Sequence, residues 1–351
     1  MQAVQIVPRL PPPFEGVGSY ATALAGALGE RSGVQERFVV GDPSWRGGAA
    51  GGARAVARRR AADLLTALEE TDGPVLLHYA GYGYHSRGCP VWLVKGLLRW
   101  RGGAPHRRLV TLFHEVWASG PPWRSSFWLL PLQRRLAAAL IRASDALATS
   151  LPLYRTLLLP WAGGREIVVM PVFSTVGEPA VAPPWSERTP RIVVFGGEGV
   201  RRRAYGPFLS ALARAARVLG AVEICDIGAG IGASALPAEA GGVPIRALGP
   251  LPGPEVSALL LDSTAGFLAY PPAFLAKSTV FAAYCAHGTL PVCAWEGPLQ
   301  EPPAAGHYWD AAGTGDFQSM AGAAQAWYAG HSLERQAAVF HGLLAGEAAV
   351  R

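Results

Sequence analysis

Residues able to do chemistry collect where apolar runs end. Thr111-Leu112-Phe113-His114-Glu115 puts a histidine and a carboxylate directly after a strand-like stretch. His114 could hydrogen-bond a sugar or take part in proton transfer, although a single buried, satisfied histidine reads the same way. Phe195–Gly206 ends another strand with Gly196, Gly197 and Gly199, followed by Arg201, Arg202 and Arg203. Backbone N–H groups at a helix start beside guanidinium forks make an anion receptor; a plain glycine turn with solvated arginines is the alternative. Lys277-Ser278 falls where the next helix should begin, with Ser278 as N-cap. A cation at the positive end of a helix dipole is out of place unless an anion joins it. Lys277 is one of only two lysines, the other being Lys95, so its position stands out from a surface lysine on a loop.

The opening of the chain poses the same question. After the strand-like Val4–Val7, the glycines of Glu15-Gly16-Val17-Gly18-Ser19 bare the backbone before a helix. Either the turn is tight, or an anionic or bulky ligand passes close. Tyr82, Tyr84 and His85 crowd a further strand end, where tyrosine rings suit sugar faces as well as a packed aromatic loop. Trp117, Trp123 and Trp128 read in the same two ways, with core packing the commoner outcome.

Positioning these groups requires alternating strands and helices. Strands are expected at Val4–Val7, Arg37–Val40, Val75–Tyr79, Leu109–Phe113, Ala146–Thr149 and Ile167–Met170, with helices at Tyr20–Leu28, Ala55–Leu68, Val91–Trp100 and Ser126–Arg142. After a Pro-rich, aperiodic stretch the pattern restarts, with a strand at Ile192–Phe195 and a helix at Tyr205–Leu219. The reading is α/β, with two open, mainly parallel halves. The expected boundaries are residues 1–171, a linker at 172–190, 191–330, and a terminal helix in 331–351.

Composition narrows the function. The chain has 351 residues, 50% apolar and 16% charged, enough for two cores of roughly 150 residues each. No apolar run suggests a membrane span or a signal peptide. Cys89, Cys225, Cys285 and Cys293 lack metal-site spacing and read as buried thiols of a reducing, cytoplasmic compartment. A net charge of +6, carried almost wholly by arginine, suits a phosphorylated small molecule or an anionic membrane surface touched through Arg58–Arg60 or Arg134–Arg135. A nucleic-acid partner is not expected. No D-x-D triplet or phosphate loop of the GxxxxGK[ST] type occurs, and Ile227–Gly232 has the wrong glycine spacing for a dinucleotide site.

The ordered set of Gly16-Val17-Gly18, His114-Glu115, the Pro-rich stretch, Gly196-Gly197…Arg203, "LGPLPGPEVSALLLDSTAGFLAYP" and "STVFAAYCAHGTLPV" resembles glycosyltransferases of the GT-B fold, family 4 (group 1). The resemblance implies two Rossmann-like domains facing across a cleft, the first on the acceptor side and the second binding a nucleotide diphosphate sugar. It implies a hinge in the linker and a terminal helix that crosses back to the first domain. It further implies metal-independent, retaining hexosyl transfer to a glycan, lipid-linked or small-molecule acceptor, with no cofactor. His114, Arg203 and Lys277 would be catalytic. Gly16, Gly18, Gly197, Arg201, Arg203, Lys277 and Ser278 would hold the diphosphate, and Glu115, Tyr82 and Tyr84 the sugar or acceptor. The chain departs from the family at Leu275 and Ala283, where two glutamates are common, and at Gly197, where an arginine is usual. A non-catalytic, sugar-nucleotide-binding partner of an active transferase is therefore the alternative; an epimerase ranks behind it for want of a carboxylate pair.

Overall fold

The computed structural model describes residues 1–11, 16–47, 52–69, 71–297, 306–311, 313 and 315–347. They divide into two compact units, Met1–Pro171 with Leu333–Arg351, and Val172–Ser332.

The first unit runs β1 (Gln2–Val7), α1 (Gly16–Ser32), β2 (Gln35–Val40), β3 (Arg54–Ala55), α2 (Ala61–Leu68), β4 (Val75–Tyr79), α3 (Gly81–Tyr84), α4 (Val91–Gly102), β5 (Leu109–Phe113), α5 (Ser125–Ala143), β6 (Ala146–Thr149), α6 (Pro152–Leu158) and β7 (Ile167–Val169). Its sheet has the order β3-β2-β1-β4-β5-β6-β7, with every pairing parallel. β4 and β5 are buried at all five positions. Their near-continuous apolar sequences follow from a parallel sheet covered by helices on both faces. Strand order reverses between β1 and β4, where open α/β sheets place their ligands.

The second unit repeats the plan with β8 (Thr189–Phe195), α7 (Glu198–Tyr205), α8 (Leu209–Val218), β9 (Glu223–Ile227), β10 (Glu239–Ala240), β11 (Val243–Gly249), α9 (Gly253–Leu261), β12 (Ser263–Ala269), α10 (Thr279–Ala286), β13 (Leu290–Ala294), β14 (Trp309–Asp310) and α11 (Phe317–Ala329). The order is β10-β11-β9-β8-β12-β13-β14, with β10 antiparallel and the reversal between β8 and β12. α10 is buried from Phe281 to Ala286, and its Tyr284 crosses the sheet to reach the carbonyl oxygens of Val193 and Phe267 at 3.0 and 3.1 Å. A Cβ at Gly266 would stand 2.2 Å from that ring, so glycine in mid-strand is what admits it.

The last helix, α12 (Leu333–Ala345), belongs to the first unit and packs against α1. There Arg31 pairs with Glu334, and Arg108 Nε donates to the Leu343 carbonyl at 2.8 Å.

Several boundaries differ from those expected. α1 begins at Gly16 rather than Tyr20, so Gly16 and Gly18 occupy its first turn; Glu15 lies outside the described residues. The helix expected from Ala55 begins at Ala61, because the chain is still paired to the sheet at Val56, whose N–H donates to Val40 at 2.9 Å. The helix expected over Tyr205–Leu219 is two, α7 and α8. The break falls at Gly206, where the chain leaves helical geometry and a Cβ would lie 2.9 Å from Arg202 O. Trp123 and Trp128 are not core residues: they are 83% and 70% exposed. All four cysteines are free and buried. No helix among the described residues is long and apolar enough to cross a membrane.

Candidate functional site

In the first unit a row of polar side chains crosses the sheet beside its switch point. In the strand register Glu36 stands opposite Ala3, Gln5 opposite Leu76, and His78 opposite Leu112. Because side chains alternate faces, moving two residues along each next strand keeps the same face. That stagger leads from Glu36 (β2) to Gln5 (β1), His78 (β4) and His114, one residue beyond β5. The contacts follow it. Gln5 Nε2 donates to Glu36, His78 Nε2 lies 2.6 Å from Gln5 Oε1, and His78 Nδ1 lies 2.9 Å from His114 Nε2. Gln5 and His78 are fully buried. Burial, with His114 alongside, holds the His78 pKa well below 6.5, so this ring is neutral at ordinary pH. Burial also pushes the Glu36 carboxyl up to about 7.

His114 stacks on His78 at 5.2 Å and meets the Tyr20 ring edge-on at 5.1 Å. The Tyr20 hydroxyl donates to Gln336 of α12, and Gln336 Nε2 donates to the Pro171 carbonyl at 2.7 Å. The backbone N–H groups of His114 and Glu115 both reach Tyr79 O, at 3.0 and 3.3 Å, fixing the turn that follows β5. Glu115 raises the phenol pKa values of Tyr79 and Tyr154 behind the larger effect of burial, which places its charge near both rings.

The tyrosine pair proposed for the sugar or acceptor separates. Tyr82 is exposed, with its hydroxyl 3.4 Å from Gln133 Nε2. Tyr84 is buried, with its hydroxyl 3.0 Å from the carbonyls of Ile6 and His78, so it ties strands together and cannot face a ligand. Among the described residues no atom lies within 4 Å of a side chain placed at Gly16, whereas Gly18 is buried in the helix.

In the second unit three strand ends converge. Gly196 N donates to Ile227 O at 3.3 Å, and Gly228 N donates to Gly249 O at 2.9 Å, joining the ends of β8, β9 and β11. Gly196 has φ +122°, and a Cβ there would lie 2.9 Å from Val280 in the first turn of α10. At Gly228, with φ +147°, a Cβ would lie 2.6 Å from Gly196 O. Both positions demand glycine for backbone conformation and for space. Gly197 caps α7 with extended geometry, and neither it nor Gly199 has an atom within 4 Å of a notional side chain. The two loops thus press against each other on one side and stay open at the N-terminus of α7.

Arg201 organises this arrangement from inside. It is 0% exposed; Nε donates to Asp226 Oδ1 at 2.9 Å, Nη2 to Asp226 Oδ2, and Nη1 to Ala229 O at 2.7 Å. A buried charge must be paired, and this fork satisfies both carboxylate oxygens while clamping the Gly228–Gly230 loop. The direct diphosphate role expected of Arg201 is therefore replaced by a supporting one. Arg203 faces elsewhere, with its guanidinium carbon 6.0 Å over the Tyr270 ring, just past β12. Its Nε finds no hydrogen-bond partner among the described residues. Lys277 ends a short 3₁₀ turn, Pro272–Lys277, and its Nζ lies 5.8 Å over Phe274. Ser278 caps α10 as expected, accepting from Phe281 N at 3.3 Å. Leu275 and Ala283 are fully buried.

Sequence reasoning located His114, the glycine loops and the Ser278 cap. It missed Gln5, Glu36, His78 and Tyr20. The signal available was a glutamine inside an apolar strand, a buried polar group that must have a partner.

No family model matches the chain, and no curated protein matches it in sequence. Solved structures do match in shape. Trehalose-6-phosphate synthase, OtsA, aligns over 99% of this chain and 100% of its own, at 12% identity and a TM-score of 0.62. An α-glucosyltransferase in complex with UDP and a 13-mer DNA containing an HMU base aligns over 96% and 93%, at 13% identity and 0.55. AviGT4, a glycosyltransferase involved in avilamycin A biosynthesis, aligns over 98% of both chains, at 15% identity and 0.54. Two Rossmann-like units, matched over nearly their whole length by these glycosyltransferase structures, give the chain the GT-B fold.

Proposed function

We propose that the protein transfers a hexose from a nucleotide diphosphate sugar to a glycan, lipid-linked or small-molecule acceptor, without a metal and with retention of configuration. The observation that carries this reading is the pair of interlocked glycine loops beneath the open N-terminus of α7, with Arg203 on α7 itself and Lys277 at the end of the 3₁₀ turn that leads into α10. Breaking the glycosidic bond leaves growing negative charge on the diphosphate. Fixed cations and helix N-termini stabilise that charge where no chelated metal does so. Gly197 would supply a backbone N–H group, and Arg203 and Lys277 the charge. The Ser278 N–H is already donated to Leu275 O at 2.9 Å, so Ser278 would instead hold the first turn of α10 in place. His114 would serve the transferred sugar or the acceptor hydroxyl, with Glu115 and Tyr82 as neighbours. The space left at Gly16 among the described residues suits close approach of a ligand to the start of α1. The structural similarity to an α-glucosyltransferase bound to UDP supports the donor class.

A non-catalytic sugar-nucleotide-binding role is the second reading. It is favoured by buried, apolar Leu275 and Ala283 at the positions where the resemblance implies acids. Calorimetry with a panel of nucleoside diphosphates, followed by a donor-hydrolysis assay, separates the two. Turnover supports the transferase; binding with no turnover over a broad donor panel supports the second reading.

The reading includes contact with an anionic membrane surface, from the cytoplasmic side. The outward side of α5 and its lead-in exposes Trp123, Phe127, Trp128 and Leu132 beside Arg124, Arg134 and Arg135. No acidic residue lies between Glu115 and Asp145. Exposed aromatics with unopposed arginines are what an anionic lipid interface takes.

A further inference from the structure

We propose that Glu36, Gln5 and His78 form a directional hydrogen-bond relay that sets which ring nitrogen of His114 carries its proton. The four side chains follow one diagonal across β2, β1, β4 and the end of β5, with each in contact with the next. Direction follows from what each group can do. An ionised carboxylate only accepts, so Glu36 turns the Gln5 amide nitrogen toward itself and the Gln5 carbonyl toward His78. That carbonyl also only accepts, so His78 carries its proton on Nε2. His78 is neutral, so its Nδ1 is an acceptor, and His114 must donate to it from Nε2. His114 Nδ1 is then the basic nitrogen of the ring, which suits a group that receives a proton or a hydrogen bond from a hydroxyl.

The row needs an explanation beyond packing. Its middle members lie fully buried in a sheet whose central strands are otherwise mainly apolar, with Thr111 the buried polar exception on β5, and burying polar groups there costs stability unless each is paired. A core built only for stability would use apolar residues there. Gln5, His78 and Glu36 touch no proposed substrate and act through His114, so they are positioning residues.

The importance of this tautomer for turnover rests on the role proposed for His114; the tautomer itself does not. The test therefore reads the tautomer in the full chain labelled with ¹⁵N-histidine, by long-range ¹H–¹⁵N correlation at about pH 8, where Glu36 is ionised. His114→Asn assigns the signals. The expected result is protonation at Nε2 on both His78 and His114. Gln5→Lys, whose ammonium can pair with Glu36 and only donates, should invert both rings to Nδ1 protonation. Gln5→Leu, which makes no polar contact, should make the His78 Nε2 proton exchange with solvent roughly tenfold or more faster, because that proton loses its acceptor. Wild-type His114 protonated on Nδ1, or a folded Gln5→Lys protein with unchanged tautomers, would overturn the relay. If Gln5→Lys does not fold, unchanged exchange in Gln5→Leu overturns it equally. Turnover that falls in Gln5→Leu while nucleoside diphosphate affinity holds would link the relay to the reaction; unchanged turnover would contradict that link while leaving the tautomer result standing.

Discussion

The two sheets share a plan and handle polarity in opposite ways. The first carries a row of side chains through its interior, neutral along its middle from Gln5 to His78 and ending at His114. The second keeps α10 and the centre of its sheet apolar and confines charge to the strand ends, where the Arg201–Asp226 pair braces two glycine loops. A neutral relay can place a proton with accuracy, whereas a buried ion pair fixes a rigid scaffold. On the function proposed above, the first unit would handle the proton and the second would bind the anion.

The most direct way to break that division is His114→Ala. Turnover in a donor-hydrolysis or transfer assay should drop by roughly 10²–10⁴-fold, with calorimetric affinity for nucleoside diphosphate unchanged. Equal losses in both would merge the roles of the two units. Next in size, Arg203→Ala and Lys277→Ala should each weaken nucleoside diphosphate binding by roughly 10–100-fold, the effect of one charge-assisted hydrogen bond of about 1.5–3 kcal/mol. Full affinity in both variants would empty the proposed donor site.

The pH dependence of stability sharpens the comparison from the other side. Glu36 is raised from 4.5 to about 7, so the native state keeps a proton that the unfolded chain has released. Its contribution is fully present below pH 4.5 and is lost as pH rises to about 7, a swing of up to about 3 kcal/mol. Glu36→Gln should remove that slope in chemical-denaturation curves and leave the protein more stable near pH 8. His78 acts in the reverse direction, because its lowered pKa makes stability fall as pH drops below 6.5. Because the two slopes oppose each other where the windows overlap, the test is the difference between the wild-type and Glu36→Gln profiles, and a difference that does not change between pH 4.5 and 7 would show that Glu36 is not buried as described.

The smallest effects concern the outer face of α5. Flotation with anionic vesicles should recover the protein, and neutral vesicles should not. Arg134→Glu with Arg135→Glu should lower binding by at least roughly tenfold, since each basic residue contributes about 1 kcal/mol near such a surface. Trp123→Ser with Trp128→Ser should lower it further, with thermal stability preserved because both rings are exposed. Vesicle binding that ignores all four positions would remove the surface from the account.

Alternating strand and helix signals made the two-unit α/β plan legible in the sequence, as did the glycines that follow β8. The same reading could not separate Arg201 from Arg203. Two residues apart in a short helix, they differ only in direction, and Asp226, which captures Arg201, lies on another strand. Tyr84 was misjudged for a similar reason, since its hydroxyl is taken by the carbonyls of Ile6 and His78. The row from Glu36 to His114 depends on strand register, a property of pairing between segments up to 73 residues apart.

The central claim is that the glycine loops of the second unit receive a nucleoside diphosphate. A crystal of the full chain grown with UDP tests it directly. The account predicts diphosphate oxygens against the backbone at Gly197, within hydrogen-bonding distance of Arg203 and Lys277, with Arg201 still paired to Asp226. Well-defined nucleotide bound away from these loops, or both cations turned from it, would contradict the account.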